Sequence, residues 1–153
     1  MTQEYSPPPQ IVPTSLRDYL DAMSKSVFQS GMSWKVVNSK WGTTREAFSD
    51  FDPDTVAAFG ESDIDRLAED TRVIRNRRKL QAVANNAARM IELEAEHGTF
   101  RDYLRSHGSF EATVADLRQE FSFLGETGSY VFLFVVGEQV PSHDEWEASR
   151  QQG

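Results

Sequence analysis

Three groups of side chains have the types and spacing to do chemistry. The first is Ser26, Gln29 and Trp34. An indole offers a flat face for a planar ring, a primary amide can pair with a ring edge, and a hydroxyl can orient a water. Ser26 lies one helical turn before Gln29 on the same face. Gly31 sits between Gln29 and Trp34 and breaks the helix, so both side chains can turn toward one space. On residue type alone, Trp34 reads more readily as a core tryptophan, and Gln29 nearly as well as a surface glutamine. Ser26 has no histidine nearby in sequence and is not read as a nucleophile.

The second group is cationic. Arg72, Arg75, Arg77, Arg78 and Lys79 put five cations into eight residues. They could hold phosphates, or they could be a solvated helix start paired with Asp65, Glu69 and Asp70. Cations at a helix N-terminus oppose its dipole, which favours a functional reason. The third group is a turn, Gly125-Glu126-Thr127-Gly128. A glycine there permits a tight turn and leaves backbone N–H groups open to an anion, although most such turns are plain helix connections. Asp144, after Pro141-Ser142-His143, is a further carboxylate, read mainly as an exposed tail residue. Lys35, Lys40 and Lys79 would be reactive amines only if buried.

Composition removes several classes. There is no cysteine, so disulfides, thiolate metal ligands and a cysteine nucleophile are excluded. The three histidines, His97, His107 and His143, have no ligand spacing, and no metal or cofactor is expected. No apolar run reaches the eighteen or so residues of a membrane span. Residues 1–13 have neither a basic start nor an apolar signal core, which makes the cytoplasm the default expectation. A formal net charge of −8 argues against nonspecific binding of nucleic acid by the whole molecule. The charge is uneven, however, and an acidic protein with one basic stripe can still dock on a phosphate backbone.

The elements that must position these groups read as helices. Pro7-Pro8-Pro9 and Pro13 make residues 1–13 an extended arm. Thr14 or Ser15 caps a helix running to about Gly31. A second helix spans about Ser33 to Lys40, and a short piece follows through Phe48. Asp52-Pro53 opens a helix that ends at Gly60. Ser62, with Asp65 in the capping-box position, opens the next. The longest helix runs from about Arg75 to Glu96 on the stripe Leu80, Val83, Ala84, Ala87 and Ile91, and Gly98 ends it. Thr99 with Asp102, then Thr113 with Asp116, cap two more. Tyr130 to Val136 is apolar all round and fits a buried strand or a buried helix. With no partner strand in view, a central helix from about Thr127 to Val136 is expected. The polar tail, 147–153, is expected to fray.

The segment Phe28-Gln29-Ser30-Gly31-Met32-Ser33-Trp34 resembles a stretch of the bacterial DNA-3-methyladenine glycosylase I family. Phe48, Phe51-Asp52-Pro53, Val56-Ala57-Ala58, Asp63, Arg66-Leu67, the run Val73 to Ala82 and Asn86-Ala87 follow in the family's order and spacing. Phe121-Ser122-Phe123-Leu124-Gly125-Glu126-Thr127, then Tyr130 and Gly137, resembles the family's helix-hairpin-helix, near residues 113–137. The family's glutamate, eight residues before the tryptophan, falls at Ser26. Its zinc ligands have no counterpart, and Glu126 stands where it often has a neutral residue.

The resemblance implies an all-α, single-domain fold of the helix-hairpin-helix DNA glycosylase type, spanning residues 14–146. It implies a zinc-free glycosylase that removes an alkylated purine such as 3-methyladenine from DNA. Trp34, Gln29 and Ser26 would line the base pocket. Arg75, Arg77, Arg78, Lys79, Gly125 and Thr127 would meet DNA. Ser26 and Asp144 are the weak catalytic candidates. The alternative is an inactive relative that serves as a DNA-binding or protein-binding module.

Overall fold

The helix predicted around Leu80 is the spine of the molecule. A computed structural model describes residues 7–151, and in it this helix, α5 (Arg77–His97), is the longest element. The residues before it form α1 (Leu16–Gln29), α2 (Trp34–Ala47), a 3-10 turn (Ser49–Phe51), α3 (Pro53–Ala57) and α4 (Glu61–Leu67). After it come α6 (Phe100–Leu104), α7 (Phe110–Glu120), α8 (Glu126–Val135) and α9 (His143–Gln151). No strand occurs among the described residues. The fold is all-α, as expected.

α5 buries Leu80, Val83, Ala84, Ala87, Met90 and Leu93. Its inward stripe ends on Met90 and Leu93, with Ile91 only half-buried. α1, α3, α4 and α6 pack on it. Phe48 and Phe51 stack at 5.2 Å between ring centroids, and Trp41 stacks on Phe51 at 5.5 Å. Each such side chain removed from water contributes about 1.5–3 kcal/mol. The ambiguous apolar run is the helix α8. It buries Ser129 through Leu133 and packs against α1 and α7.

Several boundaries differ from expectation, each for a local reason. α2 is one continuous helix, because Trp41 and Thr44 are buried on its inner face and Thr44 Oγ1 donates to the Lys40 carbonyl at 2.7 Å. α4 is capped at Gly60, whose N–H donates to Asp63 at 2.9 Å, rather than by the Ser62 and Asp65 pair. α5 begins after Asn76, whose side chain accepts from the Lys79 N–H at 3.2 Å. α7 begins a turn early at Ser109, which accepts from the Ala112 N–H, and Thr113 turns its hydroxyl back to the Ser109 carbonyl.

Both ends of the chain are tied to α8. The first six residues of the predicted arm lie outside the described residues. The rest runs extended without helix. The Ile11 N–H donates to the Val135 carbonyl at 2.8 Å, and Gln10 Nε2 donates to the Phe134 carbonyl at 2.9 Å. The Ile11 bond occupies a carbonyl of the last turn of α8, and the Gln10 bond adds a donor to the Phe134 carbonyl, which also accepts from the Gly137 N–H. At the other end, residues expected to fray continue as α9 through residue 151. Ser142 accepts from the Glu145 N–H at 3.2 Å. Trp146 is buried and stacks on Tyr130 at 4.2 Å, which anchors the helix through apolar area that its polar composition hides.

Candidate functional site

α1 ends at Gln29 because Gly31 follows in a left-handed conformation, φ 73°, which costs glycine nothing. The chain then turns, Ser33 accepts from the Val36 N–H, and α2 starts at Trp34. Across from this corner is the hairpin between α7 and α8. Its turn is held by the buried Asn86 of α5. Asn86 Nδ2 donates to the Ser122 carbonyl at 3.1 Å, and the Ser122 N–H donates to Asn86 Oδ1 at 2.8 Å.

The expected tight turn at Gly125 lies two residues earlier. Gly125 has φ −87°, an ordinary value. The left-handed residue is Phe123, φ 56°, a conformation that costs a non-glycine residue of order 1 kcal/mol or more. The Asn86 bonds and the burial of Phe121 and Leu124 on either side hold it there. Gly125 instead caps α8 without a side chain, so no side-chain acceptor at the cap covers the first N–H groups of that helix.

Corner and hairpin enclose one cavity of about 420 Å³, within the usual range for small-molecule sites. Ser26, Gln29 and Trp34 all line it, and so do Gly125 and Thr127. Ser26 is 4% and Gln29 8% exposed, yet neither side chain has a hydrogen-bond partner among the described residues. Buried polar groups are ordinarily satisfied. Two that face open space mark a surface built to meet something. Trp34 is half-buried, unlike the core Trp41, whose Nε1 donates to Asp21 at 2.7 Å.

Among the lining residues not predicted as such are Phe123, Glu126, Val131 and Arg150. Phe123 is an exposed aromatic, at 44%. Its signal was an aromatic placed inside a turn motif, where burial offers no reason for it. Arg150 lies one turn after Trp146 and rests over that indole, 4.5 Å from the ring centroid. The i, i+4 spacing was legible, but only to a reading that kept the tail helical.

The cationic group separates. Arg77 pairs with Asp65, and Arg72 with Asp70. Arg75, in the extended segment before α5, and Arg78 are exposed and have no ion pair among the described residues. Lys79 is a correction: it is 5% exposed and donates to the carbonyls of Phe28 and Ser30. Burial pulls its ammonium below the ordinary lysine range. It is a clamp on the end of α1, not a surface cation. Asp144 is exposed in the first turn of α9 and does not line the cavity. Lys40 Nζ donates to the Thr71 carbonyl at 2.9 Å.

The donor set does not fit a zinc site. His97 packs on Tyr103, His107 bonds Asp116 at 3.0 Å, and His143 lies near Trp146 and Glu147. His97 and His107 both pack on Tyr103, but with no thiolate in the chain the cysteine-containing structural sets cannot assemble. No group of three or more potential ligands gathers among the described residues. Among the same residues, no helix is long and apolar enough to cross a membrane.

Known proteins are similar in sequence and fold. The DNA-3-methyladenine glycosylase 1 of Escherichia coli K12 is 30% identical over 130 residues, covering 71% of this chain and 70% of the relative. The DNA-3-methyladenine glycosylase of Haemophilus influenzae is 32% identical over the same shares. The solved 3-methyladenine DNA glycosylase I of Staphylococcus aureus superposes with a TM-score of 0.75 at 26% identity, covering 84% of this chain and 79% of that one. The family model for methyladenine glycosylase matches residues 13–129, a span that holds α1 through α7, the hairpin turn and the first residues of α8. The chain belongs to the methyladenine glycosylase family.

Proposed function

We propose that the protein is a DNA glycosylase of base-excision repair that removes an alkylated purine such as 3-methyladenine. One observation carries this reading. The cavity joins an indole face and two buried, unpartnered polar side chains to the uncapped start of α8. The first features suit a base taken out of the duplex. The last suits the phosphate beside it. The solved Staphylococcus aureus relative is described by its recognition of 3-methyladenine.

The chemistry asks little of a general base. A purine alkylated at N3 carries positive charge in the nucleotide. When its bond to C1′ breaks, the electron pair leaves with a base that becomes neutral. Water adds to C1′ and loses its proton to solvent. Stacking on Trp34 and a polar wall at Ser26 and Gln29 hold the extruded base and favour the charge distribution of the transition state. Ser26 does not act as nucleophile: no histidine is among the described residues that line the cavity. Arg75 and Arg78 meet the flanking phosphates. Lys79 bonds the carbonyl of Ser30, which lines the cavity, so the start of α5 borders the site. The reading needs no zinc and places the protein in the cytoplasm with the DNA.

Ser26 in place of the family's glutamate favours a second reading, a relative that binds DNA without cleaving. Release of free base from alkylated DNA decides between them. Release by the wild type, lost in Trp34→Ala, supports the enzyme. Lesion binding without release supports the module.

A further inference from the structure

The glutamate of the family falls at Ser26, which lies at a crossing of two helices. Ser26 is buried where α1 meets α8. A Cβ added to Gly128 would lie 4.0 Å from the Ser26 Cβ and 3.3 Å from Leu124, so the two helices approach closely at two small residues. The cavity nevertheless has an acidic lining residue. Glu126, the first residue of α8, lines it together with Trp34, Gln29 and Phe123. Its side chain is exposed and makes no ion pair or hydrogen bond with any described residue. The other charged residue of the lining, Arg150, is occupied by Trp146 and by Glu147, 3.6 Å away.

We infer that Glu126 is the counter-charge of the base pocket: its carboxylate gives the cavity a preference for cationic over neutral purines. This rests on the glycosylase reading of the cavity and names the substrate class, a purine made cationic by alkylation. A carboxylate repels a phosphate, but one that lines an aromatic-walled cavity attracts a cationic base held there. The α8 dipole favours a negative residue at its first position. Trp34 and Phe123 supply electron-rich faces that also attract a cation. Gln29 and Ser26 supply polar contacts that do not depend on charge.

The test compares 9-methyladenine with its fixed cation, 3,9-dimethyladeninium, by tryptophan fluorescence in wild type, Glu126→Gln and Glu126→Asp. A partly exposed charge pair in reach of water is worth on the order of tenfold in affinity. Wild type should prefer the cation by about that factor. Glu126→Gln should lose the preference while holding the neutral base as before, and Glu126→Asp should keep part of it. An unchanged preference in Glu126→Gln, or no binding of either purine, overturns the inference. Base release from alkylated DNA, measured in parallel, separates it from the underlying reading. Release with a Glu126-independent preference leaves the glycosylase and removes the counter-charge. A Glu126-dependent preference without release does the reverse.

Discussion

Lys79 Nζ donates to the carbonyl of Phe28 at 3.1 Å, so a side chain from the first turn of α5 closes the last turn of α1. The same ammonium reaches Ser30, one residue before the left-handed Gly31. Lys79→Met keeps the apolar stem and leaves these carbonyls without their charged donor. A charge-assisted bond contributes about 1.5–3 kcal/mol. Lys79→Met should therefore lower unfolding stability by about 2 kcal/mol in urea titrations. It should also weaken 9-methyladenine and its cation equally, because it disturbs the corner rather than the charge. Wild-type stability in the mutant would remove the clamp.

Moving the carboxylate is a stronger perturbation than deleting it. Ser26→Glu in the Glu126→Gln background places a carboxylate at the family's position. Cation preference should return in the binding titration. The close approach to Gly128 means that the larger side chain also strains the helix crossing, by about 1–3 kcal/mol. A double mutant that stays folded and remains indifferent to charge would show that the cavity does not read charge from that wall.

The arginines should not be equivalent on DNA. Arg77 is already paired with Asp65, whereas Arg75 and Arg78 are exposed without an ion pair among the described residues. Each phosphate that a protein cation neutralises adds about 0.9 to the steepness of log K against log salt. Arg75→Glu with Arg78→Glu should flatten the slope by about 2, on every sequence alike. Arg77→Glu alone should do less. An unaltered slope in the double mutant rules out this face.

Acid stability depends on a polar cluster away from the cavity. Burial pushes the Asp116 carboxyl up, but hydrogen bonds from Tyr103 at 2.6 Å and His107, with the nearby charges of His107 and Arg89, outweigh it and hold the group below its ordinary 3.8. A carboxyl depressed in the folded state contributes stability that is fully present above its unfolded value and is lost as pH falls through the folded one. Asp116→Asn should lower Tm at neutral pH, and the gap to wild type should narrow below pH ~4. A constant gap down to pH ~2 would place the effect in packing rather than charge.

Metal content is directly measurable. Protein purified with zinc in the medium should carry no stoichiometric zinc by elemental analysis. A chelator should leave its Tm unchanged. Retained zinc at one per chain would overturn the zinc-free reading.

How legible the site was depended on whether a residue's neighbours are local. Asp52-Pro53 and Thr99 act through backbone three residues away, so helix starts near them can be read from spacing. The apolar stripe of α5 needs only its period. The purpose of Lys79 was not readable, because its partners, Phe28 and Ser30, lie 51 and 49 residues away. Phe123, Glu126 and Arg150 join the cavity by tertiary packing, of α8 against α1 and of Trp146 in α9 against Tyr130. The tail looked free because one buried Trp146 outweighs the polar residues around it.

The cavity at Trp34 is not the only space that touches Ser26 and Gln29. On their other side, Pro8, Pro9, Ile11 and Val12 of the arm close a second cavity of about 370 Å³ against Asp21, Lys25 and Arg45. Ser26, Gln29 and Val131 line both. They form a wall shared by the two cavities. Gln29 has the longest side chain of the three, so shortening it should enlarge both cavities at their common wall and relax the size limit on a guest.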